Sequence, residues 1–326
     1  MSPDPRPDQI AASVILVRPT GFGFDPETAV SNSFQQRVHD PSVKRQAAEE
    51  FDGLLEALRT WGIRSTVLDP VDSTAPNAVF PNNWFSTHAD GTVVLYPMLT
   101  ASRRIERDPH LAGLLEQEGA RTTATIDLTS WEHQGLFLEG TGSLVLDRVH
   151  RKAFACLSQR TSERAVLDWC ARFAYTPITF VATEDGRIPD GSGTRGIPVY
   201  HTNVVMSIGQ RFAVVCLDAM PFPAERQEVA EELTATGREL IPITIEQMQH
   251  FVGNLLHVKA SRSVVHGVDA TTCILLSGTA FGQLRPEQRQ ALQRHGQLVP
   301  VDIPTIEAVG GGSVRCMLAE DFLPRR

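Results

Sequence analysis

The sequence predicts an α/β fold in which five repeated units share one core and close into a ring or a stack. Apolar runs of strand length alternate with stretches of helical periodicity, and this alternation recurs five times. No Pro/Ser-rich linker divides the 326 residues, of which 42% are hydrophobic. Repeated units with a shared core tend to close or stack, so we expect one domain over residues 1–326. An ordinary α/β domain with irregular alternation fits the same periodicity.

The first unit is predicted to use both ends of the chain. An apolar strand over 13–17 is followed by a helix over 46–60, whose apolar residues recur at helical spacing, and by a strand over 63–68. The last segment, 313–318, could complete this unit by pairing with the N-terminal strand.

The other four units repeat this order, with turn residues between the apolar runs. The predicted strands are 92–96, 122–128, 143–146, 176–181, 204–208, 212–216, 239–243, 254–259, 263–267 and 297–301. The predicted helices are 111–118, 162–172, 224–236 and 286–295.

Composition excludes several classes of function. A net charge of −8 and a pI of about 5.7 argue against a nucleic-acid surface, which needs clustered Lys and Arg. No apolar run approaches the ~20 residues that span a bilayer. The five cysteines lack the spacing of a disulfide framework or a zinc site. We therefore expect a protein of the reducing cytoplasm with no nucleic-acid or membrane partner.

One cysteine of the five lies in a polar, glycine-rich turn. Cys316 follows residues 310–312, all glycine, and adjoins Arg315, whereas the other four cysteines lie in apolar strings. Successive glycines let a ligand approach the main chain, and a neighbouring guanidinium favours the nucleophilic thiolate. Cys316 is therefore a candidate nucleophile. A flexible turn before a last strand fits the run equally well.

Polar residues also stand where other predicted strands begin or end. Asn82 and Asn83 lie between large aromatic residues, which suggests an enclosed polar pocket, although an Asn-rich turn is the commoner case. Glu139 opens a glycine-rich turn that faces either a cleft or solvent. His201 and Asn203 precede an apolar run, and a histidine titrates near neutrality, as acid–base catalysis requires. A surface or core histidine is the alternative.

Together these segments supply a nucleophile, a base and an orienting carboxylate. Cys316, His201 and Glu139 fit the logic of cysteine catalysis, in which the order along the chain carries no weight. His201, His257 and Cys316 lack the paired spacing of a structural zinc site, so we expect no metal.

In this order the segments resemble the guanidine-modifying superfamily of arginine deiminases, dimethylargininases and amidinotransferases. The resemblance covers residues 13–324 and is most specific at 310–317, Gly-Gly-Gly-Ser-Val-Arg-Cys-Met. Residues 80–84, Phe-Pro-Asn-Asn-Trp, together with 139–142, Glu-Gly-Thr-Gly, and 201–203, His-Thr-Asn, are most similar to its citrulline-hydrolysing or amidinotransferase-like branch.

The resemblance implies a five-bladed α/β-propeller, the pentein fold, forming one catalytic domain. It also implies that Cys316 is the nucleophile, His201 the general acid/base and Glu139 the carboxylate paired with it. No metal or organic cofactor is implied.

Departures from the arginine deiminases point to the substrate. Those enzymes carry three aspartates that this chain lacks, and Asn83 and Asn203 stand at two of the positions. A cationic guanidinium is suited to carboxylates, and burying it against amides leaves its charge uncompensated. A neutral ureido group has both an acceptor and donors, which Asn matches. We therefore expect citrulline to be hydrolysed to ornithine, ammonia and carbon dioxide through a covalent thioester.

Several alternatives stay open at this stage. Arg160 and Arg315 are both candidates to bind the substrate carboxylate in a bidentate contact, and Asn82 is an alternative to its neighbour Asn83 as the pocket residue. The chemistry could instead be that of an arginine deiminase, an arginine dihydrolase, a dimethylarginine hydrolase or an amidinotransferase. A binding module without activity is a further reading. The sequence implies a small amino-acid substrate and leaves a homo-oligomer open.

Overall fold

Five three-stranded sheets form the framework of the protein. The computed structural model describes residues 8–265 and 268–325. The strands are β1 Ser13–Val17, β2 Arg64–Leu68, β3 Phe85–Thr87, β4 Thr92–Leu95, β5 Ala124–Asp127, β6 Val145–Asp147, β7 Lys152–Cys156, β8 Thr176–Phe180, β9 Met206–Ile208, β10 Phe212–Val215, β11 Glu239–Pro242, β12 Leu256–Val265, β13 Val268–Ser277, β14 Gln297–Val301 and β15 Ala319–Asp321.

Helices connect these strands. They are α1 Pro26–Ala29, α2 Val43–Thr60, α3 Ala101–Arg104, α4 Leu111–Gln117, α5 Gly140–Ser143, α6 Glu163–Phe173, α7 Thr202–Val205, α8 Pro223–Thr234, α9 Ile245–Gln249, α10 Gly278–Gln283 and α11 Pro286–Gln293. Within the described ranges no helix is both long and apolar enough to cross a membrane.

Every sheet has the same internal order. Its middle strand runs antiparallel to one neighbour and parallel to the other, as β4 does to β3 and β5. A parallel pair needs a crossover connection, and α2, α4, α6, α8 and α11 lie in the five crossovers. This repeat confirms the α/β class and fits a pseudo-fivefold arrangement. Closure into a propeller stays a prediction.

The first sheet joins the two ends of the chain. β15 pairs antiparallel with β1, with Ser13 opposite Asp321, and β2 pairs with β1 on the other side, with Ser13 opposite Arg64. The predicted pairing of the last segment with the first strand is therefore present, but the strand that makes it begins at Ala319 and not at residue 313.

The longest crossover helix shows how the sequence forms these units. In α2 the residues Val43, Ala47, Phe51, Leu54 and Leu58 recur at helical spacing and are all buried. They pack in one core with residues of the first and last sheets. Burial of each large apolar side chain contributes roughly 1.5–3 kcal/mol, which holds the helix against these sheets.

Three predicted strands are in part helical turns. The structure has α5 where a strand was expected at 143, α7 where one was expected at 204, and a 3₁₀ turn, Val314–Met317, within 313–318. These turns are completely buried and only four residues long, so they leave no periodicity that separates them from the strand that follows.

Other strands were not predicted. β3 lies in the polar segment after residue 80, and β7 and β13 contain apolar strings that had been assigned no element. Residues 263–265 continue β12, whereas residues 266 and 267 of the predicted strand 263–267 lie outside the described residues.

A short segment before the first strand of each unit carries the polar residues of interest. These segments are the 3₁₀ turn Pro81–Asn83 before β3, α5 before β6, α7 before β9, Asn254 before β12, and the turn Val314–Met317 before β15. The repeat therefore places one such segment at the same point of every unit.

Candidate active site

The turns of two neighbouring units approach each other at main-chain distance. Gly140, at φ 49°, opens α5, and a Cβ at this position would lie 2.3 Å from the carbonyl oxygen of Asn82. Glycine adopts this left-handed conformation without a steric penalty. The glycine-rich sequence after Glu139 is thus required to bring the carboxylate up against the asparagine turn.

Cys316 lies in a narrow buried cavity beside two amides. It is 3% exposed, and its Sγ is 3.3 Å from Nδ2 of Asn254 and 3.6 Å from Nδ2 of Asn203. Burial raises the pKa of the Cys316 thiol, whereas these donors, the Ser313 backbone and Arg315 oppose the rise. The resting thiol is therefore protonated, with donors already placed to stabilise the thiolate.

Asn254 is a site residue that the sequence reasoning missed. Its Nδ2 also donates to the backbone oxygen of Asn203, at 2.9 Å, and its Oδ1 accepts from the backbone N–H of Arg315, at 3.1 Å. These two backbone partners fix the orientation of the amide, so an N–H must face the sulfur. The available signal was its position directly before the first strand of the fifth unit.

His201 and Glu139 form a buried pair. Nε2 of His201 lies 2.8 Å from Oε2 of Glu139, and both side chains are 1% exposed. Oε1 of the carboxylate accepts from the backbone N–H of Leu99 at 3.1 Å. Burial raises the pKa of Glu139, but the Arg160 guanidinium and His201 outweigh it and lower that pKa to about 2. Burial lowers the pKa of His201 to about 4, although Glu139 opposes this shift.

This pairing determines which ring nitrogen of His201 remains reactive. Because the carboxylate accepts the Nε2 proton, neutral His201 has its lone pair on Nδ1. A Cβ at Gly142 would lie 2.8 Å from Nδ1 and 2.5 Å from Nδ2 of Asn83. Gly142 therefore leaves room for both the basic nitrogen and the amide.

A buried arginine sets the orientation of Asn83. Arg103 donates from Nη1 to Asn83 Oδ1 at 3.1 Å, and Asn83 Nδ2 donates to Asn82 Oδ1 at 3.0 Å. The same guanidinium forms a two-pronged pair with Glu106, at 2.5 and 2.9 Å. Asn83 and Arg103 both line the cavity.

Three buried amide atoms around Cys316 have no hydrogen-bond partner. Oδ1 of Asn77 and Oδ1 of Asn203 are unpaired acceptors, and Nδ2 of Asn82 is an unpaired donor. Leaving such a group unpaired costs about 1–3 kcal/mol. Asn77 lines the cavity together with Cys316, whereas Asn82 and Asn203 do not.

The two arginines considered for the substrate carboxylate have different surroundings. Arg160 lines the cavity, donates to the backbone oxygen of Thr28 at 2.8 Å and to Ser31 Oγ at 3.0 Å, and lies 3.5 Å from Glu139. The Arg315 side chain instead donates to the Leu318 carbonyl and pairs with a glutamate of β15, each at 3.0 Å. Arg160 is the one placed at the cavity.

Residues from the segment between β1 and α2 line the cavity beside residues from other parts of the chain. Asn32 donates to the Gly311 carbonyl at 3.1 Å, and Tyr200 Oη donates to the same oxygen at 2.5 Å. Thr28 and Asn77 also line the cavity. None of these four residues belongs to a recognisable sequence motif, so their position at the cavity could not be predicted from the sequence alone. Among the side chains described, no group of three or more His, Cys, Asp or Glu is arranged to hold a metal.

The fold and the site together define a guanidine-modifying enzyme of the pentein superfamily. A family model described as N,N dimethylarginine dimethylhydrolase, eukaryotic, matches residues 18–323, and the chain belongs to this family of hydrolases of carbon–nitrogen bonds. No curated protein sequence matches the chain.

Solved structures show the same fold. The N-terminal domain of ArgZ bound to substrate, an arginine dihydrolase from the ornithine–ammonia cycle in cyanobacteria, is 15% identical with a TM-score of 0.70, over 95% of this chain and 99% of that one. AgrE with L-arginine is 17% identical with a TM-score of 0.71, over 96% and 40%.

A dimethylarginine dimethylaminohydrolase, in an adduct with 4-chloro-2-hydroxymethylpyridine, is also similar. It is 13% identical with a TM-score of 0.61, over 96% of this chain and 100% of that one. Against ArgZ in its apo structure, the chain spans 41% of the length.

Proposed function

We propose that the protein hydrolyses the ureido group of a small amino acid, and that its substrate is citrulline. The observation that carries this proposal is the orientation of Asn83. Its Oδ1 accepts from Arg103 and one of its Nδ2 protons is donated to Asn82, which leaves the second Nδ2 proton for a ligand. A ureido carbonyl can accept from this donor, whereas a guanidinium, which presents N–H donors alone, cannot use it.

The charge of the cavity supports the same substrate. Among the described residues that line it, two are arginines, Arg103 and Arg160, and none is Asp or Glu. Each arginine has a carboxylate neighbour, Glu106 or Glu139, but neither carboxylate lines the cavity to accept from a cationic head group. A neutral head with a carboxylate tail suits the site, and Arg160 is the proposed partner of that tail.

The proposed reaction begins at Cys316. The thiol proton passes to Nδ1 of His201, and the sulfur attacks the ureido carbon, whose oxygen is held by the Asn83 donor. His201 returns the proton to the departing nitrogen, which releases ornithine and leaves a carbamoyl thioester. His201 then activates water, and the resulting carbamate decomposes to ammonia and carbon dioxide. General acid–base assistance of this kind is worth on the order of 10² to 10⁴ in rate.

Glu139 keeps His201 in the required tautomer throughout. The Nε2–H of His201 donates to the carboxylate, which also stabilises the imidazolium that forms after proton transfer. Asn203 and Asn254 donate to the sulfur, so they favour the thiolate at the moment of attack. No step requires a cofactor or a metal.

Arginine dihydrolysis is the second candidate, because ArgZ is an arginine dihydrolase and AgrE binds L-arginine. In that reaction citrulline is an intermediate that undergoes a second round. The experiment is a substrate panel of citrulline, arginine, methylarginines and agmatine, with ammonia, citrulline and ornithine quantified separately. Ornithine formed from citrulline but not from arginine supports the proposal. Citrulline accumulating from arginine, with no turnover of citrulline itself, overturns it.

Amidino transfer is distinguished in the same panel. A transferase forms product only when an acceptor amine such as glycine is added, whereas a hydrolase needs water alone.

We further propose that the whole chain acts as one catalytic domain, because its site draws residues from all five units. The five free thiols fit a reducing compartment such as the cytoplasm.

A further inference from the structure

A second cavity, separate from the catalytic one, lies between the fourth and fifth sheets. It measures about 610 Å³ and shares no lining residue with the cavity at Cys316. It is formed by the turn between β9 and β10, by β12 and β13, and by the end of α11 with the residues before β14. Its lining residues are Gln210, Arg211, His257, Thr271, Thr272, Gln293, Arg294, His295, Gly296 and Gln297.

His257 presents an unused donor to this cavity. The ring is 3% exposed, and its Nδ1 accepts from the backbone N–H of Gln210 at 3.2 Å. Since that nitrogen accepts, the proton of the neutral ring must be on Nε2. Nε2 forms no hydrogen bond of good geometry, although the His295 backbone lies near enough to oppose the lowering of the pKa of His257 by burial. A buried N–H without a partner is costly, and a ligand that accepts from it would remove the cost.

This donor is itself shielded from solvent, and the glycine at position 296 limits the crowding around it. A Cβ at Gly296 would approach His257 Nε2 to 3.3 Å, so glycine leaves the space beside the nitrogen open. Phe212 packs against both His257 and His295, with ring centroids 5.4 and 5.1 Å apart, and so holds the two imidazoles in place.

His295 provides a second unpartnered nitrogen. Its Nε2 lies 2.8 Å from Oε2 of Glu239, while its buried Nδ1 has no partner. Glu239 is also paired with Arg294. Each imidazole thus has one nitrogen that is hydrogen-bonded within the protein and one nitrogen without a well-formed hydrogen bond.

The charge of the cavity identifies the class of ligand. Among its described lining residues are two arginines and two histidines, and none is Asp or Glu. Arg211 is exposed and forms no ion pair with any described carboxylate, so its guanidinium is available. A ligand of this cavity would have to accept from the His257 N–H and also carry negative charge that attracts the Arg211 guanidinium. An oxyanion meets both requirements.

We propose that this cavity binds a small oxyanion, a carboxylate or a phosphate, through the Nε2–H of His257 and the guanidinium of Arg211. The site is independent of the proposed citrulline hydrolysis. The bound oxyanion would contact His257 in β12, the strand that begins two residues after Asn254.

Calorimetric titration of the full chain with inorganic phosphate and, separately, with acetate tests the proposal at constant ionic strength in chloride. We expect saturable binding of at least one anion with a stoichiometry of one. The anion that binds more tightly identifies whether the ligand of this cavity is a phosphate or a carboxylate. Arg211→Gln should weaken it by about tenfold, the equivalent of ~1.4 kcal/mol, and Arg211→Lys should retain most of it.

Two further variants make the outcome decisive. His257→Phe should abolish binding while Arg45→Gln, at an exposed arginine of α2, should leave it unchanged. If His257→Phe does not fold, Arg211→Gln alone carries the test, because its side chain is exposed. Lack of saturation at about 10 mM anion, an equal loss in Arg45→Gln, or a loss in Arg160→Gln but not in Arg211→Gln would each overturn the proposal.

Discussion

Arg103 Nη1 donates a 3.1 Å hydrogen bond to Oδ1 of Asn83. Because a guanidinium has no acceptor, this bond fixes which end of the amide faces the arginine and leaves one Nδ2 proton, beside the one donated to Asn82, for a ligand. The specificity proposed for the site therefore depends on an arginine that is itself held by Glu106. Under this proposal, the position that resembles an aspartate of arginine deiminases supplies a hydrogen-bond donor to the substrate.

Asn83→Asp should shift the preference from citrulline towards arginine. The new carboxylate removes the donor and adds negative charge, so kcat/KM for citrulline should fall about 10²-fold, in line with the ~1–3 kcal/mol cost of an unpaired buried group. Steady-state kinetics with both substrates measure the ratio. Asn82→Asp, whose side chain does not line the cavity, should leave the ratio nearly unchanged. A ratio that is equal in the two variants would contradict the assigned role of Asn83.

Cys316→Ala should abolish turnover. The variant lacks the sulfur that forms the thioester, so the expected loss is on the order of 10³-fold or more. Ammonia and ornithine release from citrulline are the readouts. Cys273→Ala is the matched control, because Cys273 is equally buried but lies in β13 away from the cavity. It should lose some stability and keep its activity, and the reverse pattern would remove Cys316 from the mechanism.

Gly142→Ala should reduce kcat with little change in folding. The added methyl would sit 2.8 Å from His201 Nδ1 and 2.5 Å from Asn83 Nδ2, so both must move. Misplacement of a catalytic group by about 1 Å costs roughly 10²-fold. Gly113→Ala, in α4 with nothing within 4 Å of the new Cβ, should be fully active and more stable by about 0.5–1 kcal/mol. Full activity in both variants would show that His201 Nδ1 is not the base.

Asn254→Ala should make Cys316 harder to ionise. It removes the donor 3.3 Å from Sγ, and a hydrogen bond to a charged group is worth about 1.5–3 kcal/mol. The pKa of the thiol should therefore rise, and the pH at which alkylation reaches half its maximal rate should be higher than in the wild-type chain. Iodoacetamide labelling of Cys316 across a pH series measures this without substrate, with the wild-type chain as reference. An unchanged profile would limit Asn254 to holding the backbone of Arg315.

The free energy of unfolding should fall as the pH decreases from about 6.5 to about 4. Burial lowers the pKa of His88 to about 3, and the pKa values of His201 and His257 to about 4. In this window the unfolded chain binds three protons at these histidines that the native state does not, and they outweigh the one native proton at Glu106, whose pKa burial raises to about 7, so acid favours unfolding. Urea midpoints at several pH values measure the slope.

His88→Phe provides the comparison for this slope. His88 stacks on Phe173 with ring centroids 5.3 Å apart, so an aromatic replacement keeps the contact and removes one titrating group. The variant should lose less stability on acidification. His39→Gln, at an exposed histidine, should follow the wild-type curve, and a His88→Phe curve parallel to the wild type would argue against this account.

Sequence patterns predicted the α/β class, the repeat and most crossover helices, because amphipathic helices such as α2 record their buried face at regular spacing. They selected Glu139, His201 and Cys316 as candidates, but they began strands at 143, 204 and 313, where the structure has short buried turns that leave no periodicity of their own. Asn254 was missed because nothing in its neighbours distinguishes it until the fifth unit is aligned with the others. Arg103 was missed because its contact with Asn83 joins two separate turns, and neither the Asn83 turn nor the neighbouring Glu106 marks this arginine in the sequence.

The pairing of β1 with β15 has a consequence for biosynthesis. Ser13 and Asp321 are adjacent in this sheet but are separated by almost the whole chain, so translation exposes the edge of β1 long before its partner emerges. Contacts of such long sequence separation form late in folding. Cys316, the proposed nucleophile, lies three residues before β15, so a nascent polypeptide on the ribosome would contain every strand of the other four sheets before this residue was added.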